Sequence, residues 1–336
     1  MFKLKNRFVK EKFSVGLDIG SYALKLIKLK FLKEKTELCD FALEPAGPDL
    51  AASLQKVVQS YALTEVNLSV SGPSTAIRYV NFPRMTNEEL KQALKFEVQK
   101  YIPFSVDEVN LDSFILKDNL PGNQMLVLLV AVKKDFLNER LKLIESTGLK
   151  ANRVEVDSVS LVNAFNFNYS EDERLRNKTI ALLNIGAAIS NLNILENGTL
   201  RLSRDIPLAG GNFTQKLTEI MQIDFKSAEA LKINPDKESM QNLSQALERV
   251  LSNLAHEVRT SFDYYESQSA SSVVEIFLSG GGSRFLGLKD ILANLLGIEV
   301  ELWNPFNKIE IAKDLDVQRV QVLAGQLAVA VGLALR

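Results

Sequence analysis

The chain has 336 residues, 46% of them hydrophobic and 24% charged, with 40 Lys and Arg set against 41 Asp and Glu. This is the length and composition of a globular protein of two lobes or domains, and the near-zero charge gives no overall drive toward nucleic acid or acidic lipid. A single cysteine, Cys39, excludes an internal disulfide, and a single histidine, His256, excludes a His-based triad or multi-histidine metal site.

Residues 1–12 form a basic start in which Lys3, Lys5, Arg7, Lys10 and Lys12 face only Glu11. Gly16, Asp18 and Gly20 interrupt the next segment, so no signal-like apolar run is present. A solubilising tail is the expectation, with contact to an anionic membrane face as the alternative. The longest unbroken apolar run, residues 125–132, is far short of the roughly 20 residues that span a bilayer. A cytoplasmic protein without a transmembrane helix is therefore expected.

One pattern occurs twice. Residues 13–17 read as a strand, followed by Asp18-Ile19-Gly20-Ser21 and an alternating strand over 23–32. Residues 179–183 read the same way, followed by Asn184-Ile185-Gly186-Ala187, a strand over 189–195, and a tight turn at Asn197-Gly198 into 200–202. Leu17, Ile19, Gly20 and Leu26 align with Leu183, Ile185, Gly186 and Leu192, and Asp18 aligns with Asn184. A glycine turn of this kind lets consecutive N–H groups approach an anion. Ser21 adds a hydroxyl donor, and Asp18 at the strand end suits a hydrated Mg²⁺. Two such hairpins facing each other would clamp a polyphosphate. A third element, a buried strand over 275–278, leads into Ser279-Gly280-Gly281-Gly282-Ser283-Arg284 and then a helix, where the glycines allow close approach of an adenine or α-phosphate.

Between the repeats, Thr86 with Glu89 makes a capping box for a helix over 85–101 that Pro103 stops. Strands over 109–116 and 125–132 and a helix over 134–147 complete a small inserted unit. Residues 241–266 carry Leu243, Leu247, Val250, Leu254, Val258, Phe262 and Tyr265 on one helical stripe. Small residues in 323–335 suit a helix packed closely between two lobes.

Taken together and in this order, these motifs resemble the actin, sugar-kinase and chaperone-ATPase superfamily, and within it the family of FtsA and PilM. GLDIGSYALKL resembles the first phosphate motif, with Tyr22 in its turn and Lys25 seven residues after Asp18, and LLNIGAAISNLNI resembles the second. RDIPLAGGNFTQKL resembles a segment whose glycine pair, Gly210 and Gly211, followed by Asn212, opens a helix toward the nucleotide. SAEALKI matches a stretch whose Glu229 and Lys232 lie near the ribose, and LSGGGSRFLGL resembles the adenosine motif. EELKQALKFEVQKYIPFSVDEVNLD resembles the insert of the type IV pilus members.

The resemblance implies an α/β actin-like ATPase fold, with two RNase H-like lobes around a nucleotide cleft and an FtsA/PilM-type insert, subdomain 1C. The implied division is 1–12 tail, 13–83 first part of lobe I, 84–151 insert, 152–176 connecting helix, 177–321 lobe II and 322–336 closing helix. ATP and Mg²⁺ are the implied cofactors. The implied partner is the N-terminal cytoplasmic peptide of PilN, held near Tyr101, Ile102, Pro103 and Phe104, with membrane contact indirect and self-association open. Two departures stand out: Asn184 replaces the usual aspartate, and Val159 lies near where relatives often carry a glutamate. Slow or absent hydrolysis is expected from these, and no catalytic residue is assigned. An FtsA-like filament former and a small-molecule kinase are the alternatives.

Overall fold

The computed structural model describes residues 12–235 and 237–336, and the basic start at 1–11 lies outside them. In chain order come β1 (Lys12–Ile19), β2 (Ala23–Phe31), β3 (Thr36–Pro45), α1 (Leu50–Ser60) and β4 (Glu65–Val70). Next are β5 (Thr75–Pro83), α2 (Asn87–Glu97), β6 (Val109–Leu120), β7 (Gln124–Lys133), α3 (Lys134–Ser146), β8 (Lys150–Val156) and α4 (Asp157–Tyr169). The second half contributes β9 (Thr179–Ile185), β10 (Ser190–Glu196), β11 (Thr199–Ile206), α5 (Gly210–Met221), α6 (Phe225–Ile233) and α7 (Lys237–Gln268). It ends with β12 (Val273–Ser279), α8 (Leu288–Leu296), β13 (Glu299–Leu302), β14 (Ile309–Ile311), α9 (Val317–Leu323) and α10 (Ala328–Ala334).

Two sheets share one plan. The first runs β14-β3-β2-β1-β4-β8 and the second β11-β10-β9-β12-β13. In each, the first strand has an antiparallel meander on one side and two parallel strands on the other. The duplicated hairpin seen in the sequence is thus the visible part of a duplicated five-stranded sheet. The central strand of the second sheet shows how such sheets are covered. Ile180 and Leu182 of β9 face one apolar cluster, while Ala181, Leu183 and Ile185 face another built on α5, α7 and α8. On α7 the buried stripe includes Leu251, where Val250 was expected and is only partly buried.

The first of those clusters is shared by both lobes. It joins Ile27 and Leu38 of the first sheet to Leu161 and Phe165 of α4, Phe277 of β12 and the whole of α10. Val317–Ala334 has the length and apolarity of a membrane span, but 56% of it is buried, and α10 packs on α4, β1, β2 and β4. It is a core element between the sheets, which the apolar-run test on the sequence did not single out.

The insert has its own three-stranded sheet, ordered β5-β7-β6, and its own core around Phe82, Leu90, Leu94 and Val127. The capping box forms as expected, with Thr86 and Glu89 exchanging both hydrogen bonds. The boundaries differ from the sequence division. β5 precedes residue 84 yet pairs with β7, while Ile144 at the far end of α3 joins the lobe I core. β14, placed in lobe II by sequence, pairs with β3 on the edge of the first sheet.

Candidate functional site

The two hairpin turns and the glycine triplet converge on one cleft of about 620 Å³ between the sheets. Of the expected nucleotide residues, all but Asn212 and Gly280 line it: Asp18, Gly20, Ser21, Tyr22, Lys25, Asn184, Gly186, Ala187, Gly210, Gly211, Glu229, Lys232, Gly281, Gly282 and Arg284. The two exceptions support the wall from behind. Asn212 Oδ1 accepts the Ala209 N–H, closing the turn before α5. Gly280 adopts φ 88° and packs where an added Cβ would meet the Ile185 backbone at 2.3 Å. A second groove of about 410 Å³, between the end of α4 and the β10–β11 turn, gathers none of the expected residues.

The hairpins match in their backbones. The Gly20 N–H donates to Ala23 O at 3.1 Å, and the Gly186 N–H donates to Ile189 O at 3.0 Å. They differ in side chains. In the first, Asp18 sits opposite Lys25 in the β1–β2 register and the two form an ion pair of 2.7 Å. In the second the equivalent positions are two amides, Asn184 opposite Asn191. Asn184 Oδ1 accepts the Ser279 hydroxyl at 3.1 Å, and Asn191 Nδ2 donates to Asp205 Oδ1 at 2.7 Å. Asp205 Oδ2 also accepts the Gly72 N–H at 3.0 Å, tying β11 to the loop that enters the insert.

Gly210 and Gly211 do open α5 beside the cleft, but their N–H groups donate to Gly186 O and Ala187 O at 3.0 and 2.8 Å. They fasten the helix to the second hairpin, and an added Cβ on Gly211 would meet Ala187 O at 2.7 Å. Lys232 is buried and its ammonium donates to Glu229, to Thr214 Oγ1 at 2.8 Å and to Gly210 O at 3.2 Å. Burial pushes its pKa down against the opposing pull of Glu229.

Three residues that sequence reasoning missed, Asp157, Asp205 and Arg140, change the chemistry of the cleft. Asp157, the first residue of α4, lines it beside Ser69, Ser71 and Asp205. Its carboxyl is raised to about 6, chiefly by desolvation and then by the charge of Asp18, with Asp205 adding to it. The Ser69 hydroxyl lies near enough to offset this in part, although it makes no well-formed hydrogen bond. Val159 packs with Val70, Val132 and Val156, while Asp157, two residues earlier on the same helix, is the carboxylate that lines the cleft. Arg140 reaches the same cleft from α3. Asp157 and Arg140 are distant in sequence from the hairpins they face, whereas Asp205 lies in the RDIPLAGGNFTQKL segment and sits opposite Asn191 in the β10–β11 register.

Glycine-containing turns stand on both walls of the cleft, and its carboxylates are hard oxygen donors of the kind Mg²⁺ accepts. Those carboxylates are not drawn into a ready-made shell. Among the described residues the acidic group close enough to hold an ion directly is Glu275, Glu299 and Glu301, outside the cleft. In the insert, Ile102 faces the core, whereas Tyr101 and Phe104 are half-buried and Pro103 is exposed. Tyr101 stacks edge-on against Phe82 at 5.7 Å, and Lys133 lies over Phe104 at 5.1 Å.

Comparison with known proteins agrees with this geometry. The structure of a PilM–PilN type IV pilus biogenesis complex superposes with a TM-score of 0.86 and 26% identity, covering 96% of this chain and 98% of that one. The ethanolamine utilization protein EutJ from Carboxydothermus hydrogenoformans shares the fold, with a TM-score of 0.57 and 13% identity over 96% of this chain and 89% of that one. The cell division protein FtsA of Buchnera aphidicola is 30% identical over 110 residues, 33% of this chain and 25% of the relative, so the chain spans about a quarter of that relative's length. A family model described as type IV pilus assembly protein PilM matches residues 16–336. The chain belongs to that family, and its two lobes have the actin-like fold.

Proposed function

We propose that the chain is an ATP- and Mg²⁺-binding scaffold of the type IV pilus inner-membrane platform, with the insert docking the N-terminal cytoplasmic peptide of a PilN protein. The observation that carries the nucleotide reading is the convergence of both hairpin turns and the glycine triplet on one cleft. The partner reading is supported by the solved PilM–PilN complex, similar over 96% of the chain. It puts the protein on the cytoplasmic face, held to the membrane through that partner, with the groove formed by Tyr101, Pro103 and Phe104 instead of the inward-facing Ile102. Asp18 holds a hydrated Mg²⁺ and, once a phosphate draws Lys25 away, the lysine supplies charge to the polyphosphate. Gly20, Ser21, Tyr22, Gly186 and Ala187 line the phosphates, and Glu229, Lys232, Gly281, Gly282 and Arg284 line the nucleoside.

Asn184 in place of a carboxylate supports slow turnover, since an amide cannot take a proton. Asp157 supports a second reading, a working ATPase, because a carboxyl near 6 is a general base close to neutrality. Phosphate release above roughly 1 s⁻¹, the low end of ordinary enzyme turnover, favours the second reading. The binding claim is tested by titrating wild type and Asp18→Ala with a fluorescent ATP analogue and Mg²⁺. Loss of the carboxylate is expected to weaken binding by at least about tenfold, the scale of one charge-assisted contact. Equal affinities would remove the first hairpin from the site. A synthetic PilN N-terminal peptide that fails to bind would remove the partner claim.

A further inference from the structure

Four cationic side chains line the cleft: Lys25, Arg140, Lys232 and Arg284. Two are already committed, Lys25 to Asp18 and Lys232 to Glu229. Arg284 follows the glycine triplet and lies in the field of Lys232, at the nucleoside end. Of the two uncommitted cations, Arg140 stands at the phosphate end, in the fields of Asp157 and Asp18. Among the described residues it makes no hydrogen bond and no ion pair within 4 Å, and its guanidinium carbon lies 5.8 Å from the centre of the Phe136 ring. Burial presses its pKa down against the pull of the two carboxylates. A half-buried guanidinium facing a cleft without a protein partner keeps its N–H fork available to an incoming anion.

We infer that Arg140 is the residue of this cleft that reads the terminal phosphate of a nucleoside triphosphate. The proposal rests on the nucleotide reading above and adds to it the group that tells triphosphate from diphosphate. A guanidinium fork offers parallel N–H donors matched to phosphate oxygens, which a lysine does not. Its position also matters for the insert. β7, the middle strand of the insert's sheet, ends at Lys133 and α3 begins at Lys134 with no loop between. Arg140 therefore lies on the helix that continues directly from the central strand of the insert's sheet.

The test is calorimetric titration of the full chain with Mg-ATP and Mg-ADP, in wild type, Arg140→Ala and Arg140→Lys. Arg140→Ala is expected to weaken ATP about 10- to 100-fold, the range of a charge-assisted pair, while ADP changes less than about twofold. Arg140→Lys is expected to recover part of the ATP affinity, because charge returns without the fork. The ADP titration shows that each variant is folded. Unchanged ATP affinity in Arg140→Ala, or equal losses for ATP and ADP, overturns the inference and leaves the nucleotide reading standing. A wild-type chain that binds neither nucleotide overturns both.

Discussion

Replacing Gly332 with alanine is expected to lower the melting temperature by about 4 °C or more, a loss of about 3 kcal/mol or more. Gly332 lies in α10, where the helix crosses α4, and a Cβ built there would sit 1.8 Å from Ser160 O and 2.4 Å from the carbonyl carbon. Ordinary contact begins near 3.4 Å, so the helices would have to part by about 1.6 Å. Neither can move freely. On the other side of α10, a Cβ on Gly16 of β1 would meet Ala330 O at 2.1 Å. Alanine gains about 1 kcal/mol of helix propensity over glycine, but forced overpacking of a buried backbone contact outweighs it. Gly325→Ala is the control, since its added Cβ meets Ser283 Oγ at 3.7 Å and nothing nearer. Thermal melts followed by circular dichroism decide this. A Gly332→Ala transition at or above that of Gly325→Ala would show that the α10–α4 crossing tolerates a Cβ and is not a tight backbone contact.

Asp157→Asn is expected to stabilise the ligand-free protein at pH 7.5, by as much as about 3 kcal/mol, and to have almost no effect at pH 4. The folded carboxyl titrates near 6 against an ordinary value of 3.8. Between those values the folded state binds more protons than the unfolded one, so stability falls as pH rises through that window. The contribution is fully present below about 4 and is lost once pH passes about 6. A difference of about two pKa units corresponds to about 3 kcal/mol at neutral pH. The cause is a carboxylate held in a desolvated wall beside Asp18 and Asp205, so an amide of the same shape relieves the repulsion and keeps the packing. Urea unfolding at both pH values reads the difference. An identical effect of the substitution at pH 4 and pH 7.5 would refute the coupling. Such stored electrostatic strain is typical of a site built for a positive ligand, and the cost should shrink when Mg²⁺ is added.

Much of the site was legible because its signals are local. A strand, a glycine turn and a returning strand lie within about a dozen residues, and the duplication makes the pattern visible without any alignment. The register puts Asp18 opposite Lys25 and Asn184 opposite Asn191, seven residues apart in each hairpin. The ion pair between Asp18 and Lys25 was not legible, because the spacing suited a lysine reaching for phosphate equally well. On α4 the sequence reading chose Val159 as the telling position, yet two residues along a helix turn about 200° around its axis. Asp157 therefore faces the cleft and Val159 the valine cluster. Arg140 reads in sequence as one more charge on an amphipathic helix, and only the return of α3 against the first sheet brings it to the cleft.

The sequence by itself determined the duplicated hairpins, the glycine triplet and the capped insert helix, because each is dictated by turn chemistry and periodicity over short spans. It also carried the unequal jaws, an aspartate facing an asparagine, as a plain difference between two copies. Tertiary structure decided which charges are spoken for and which are free. The fold pairs Lys25 and Lys232, leaves Arg140 without a partner among the described residues, and gathers Asp18, Asp157 and Asp205 around one wall. It also set the partners of the closing helix, which packs on α4, β1, β2 and β4, where the small residues of 323–335 implied only a close approach. Side chains far apart in sequence acquire their chemistry from the charges and solvent around them, and those are set only once both sheets close on α4 and α10.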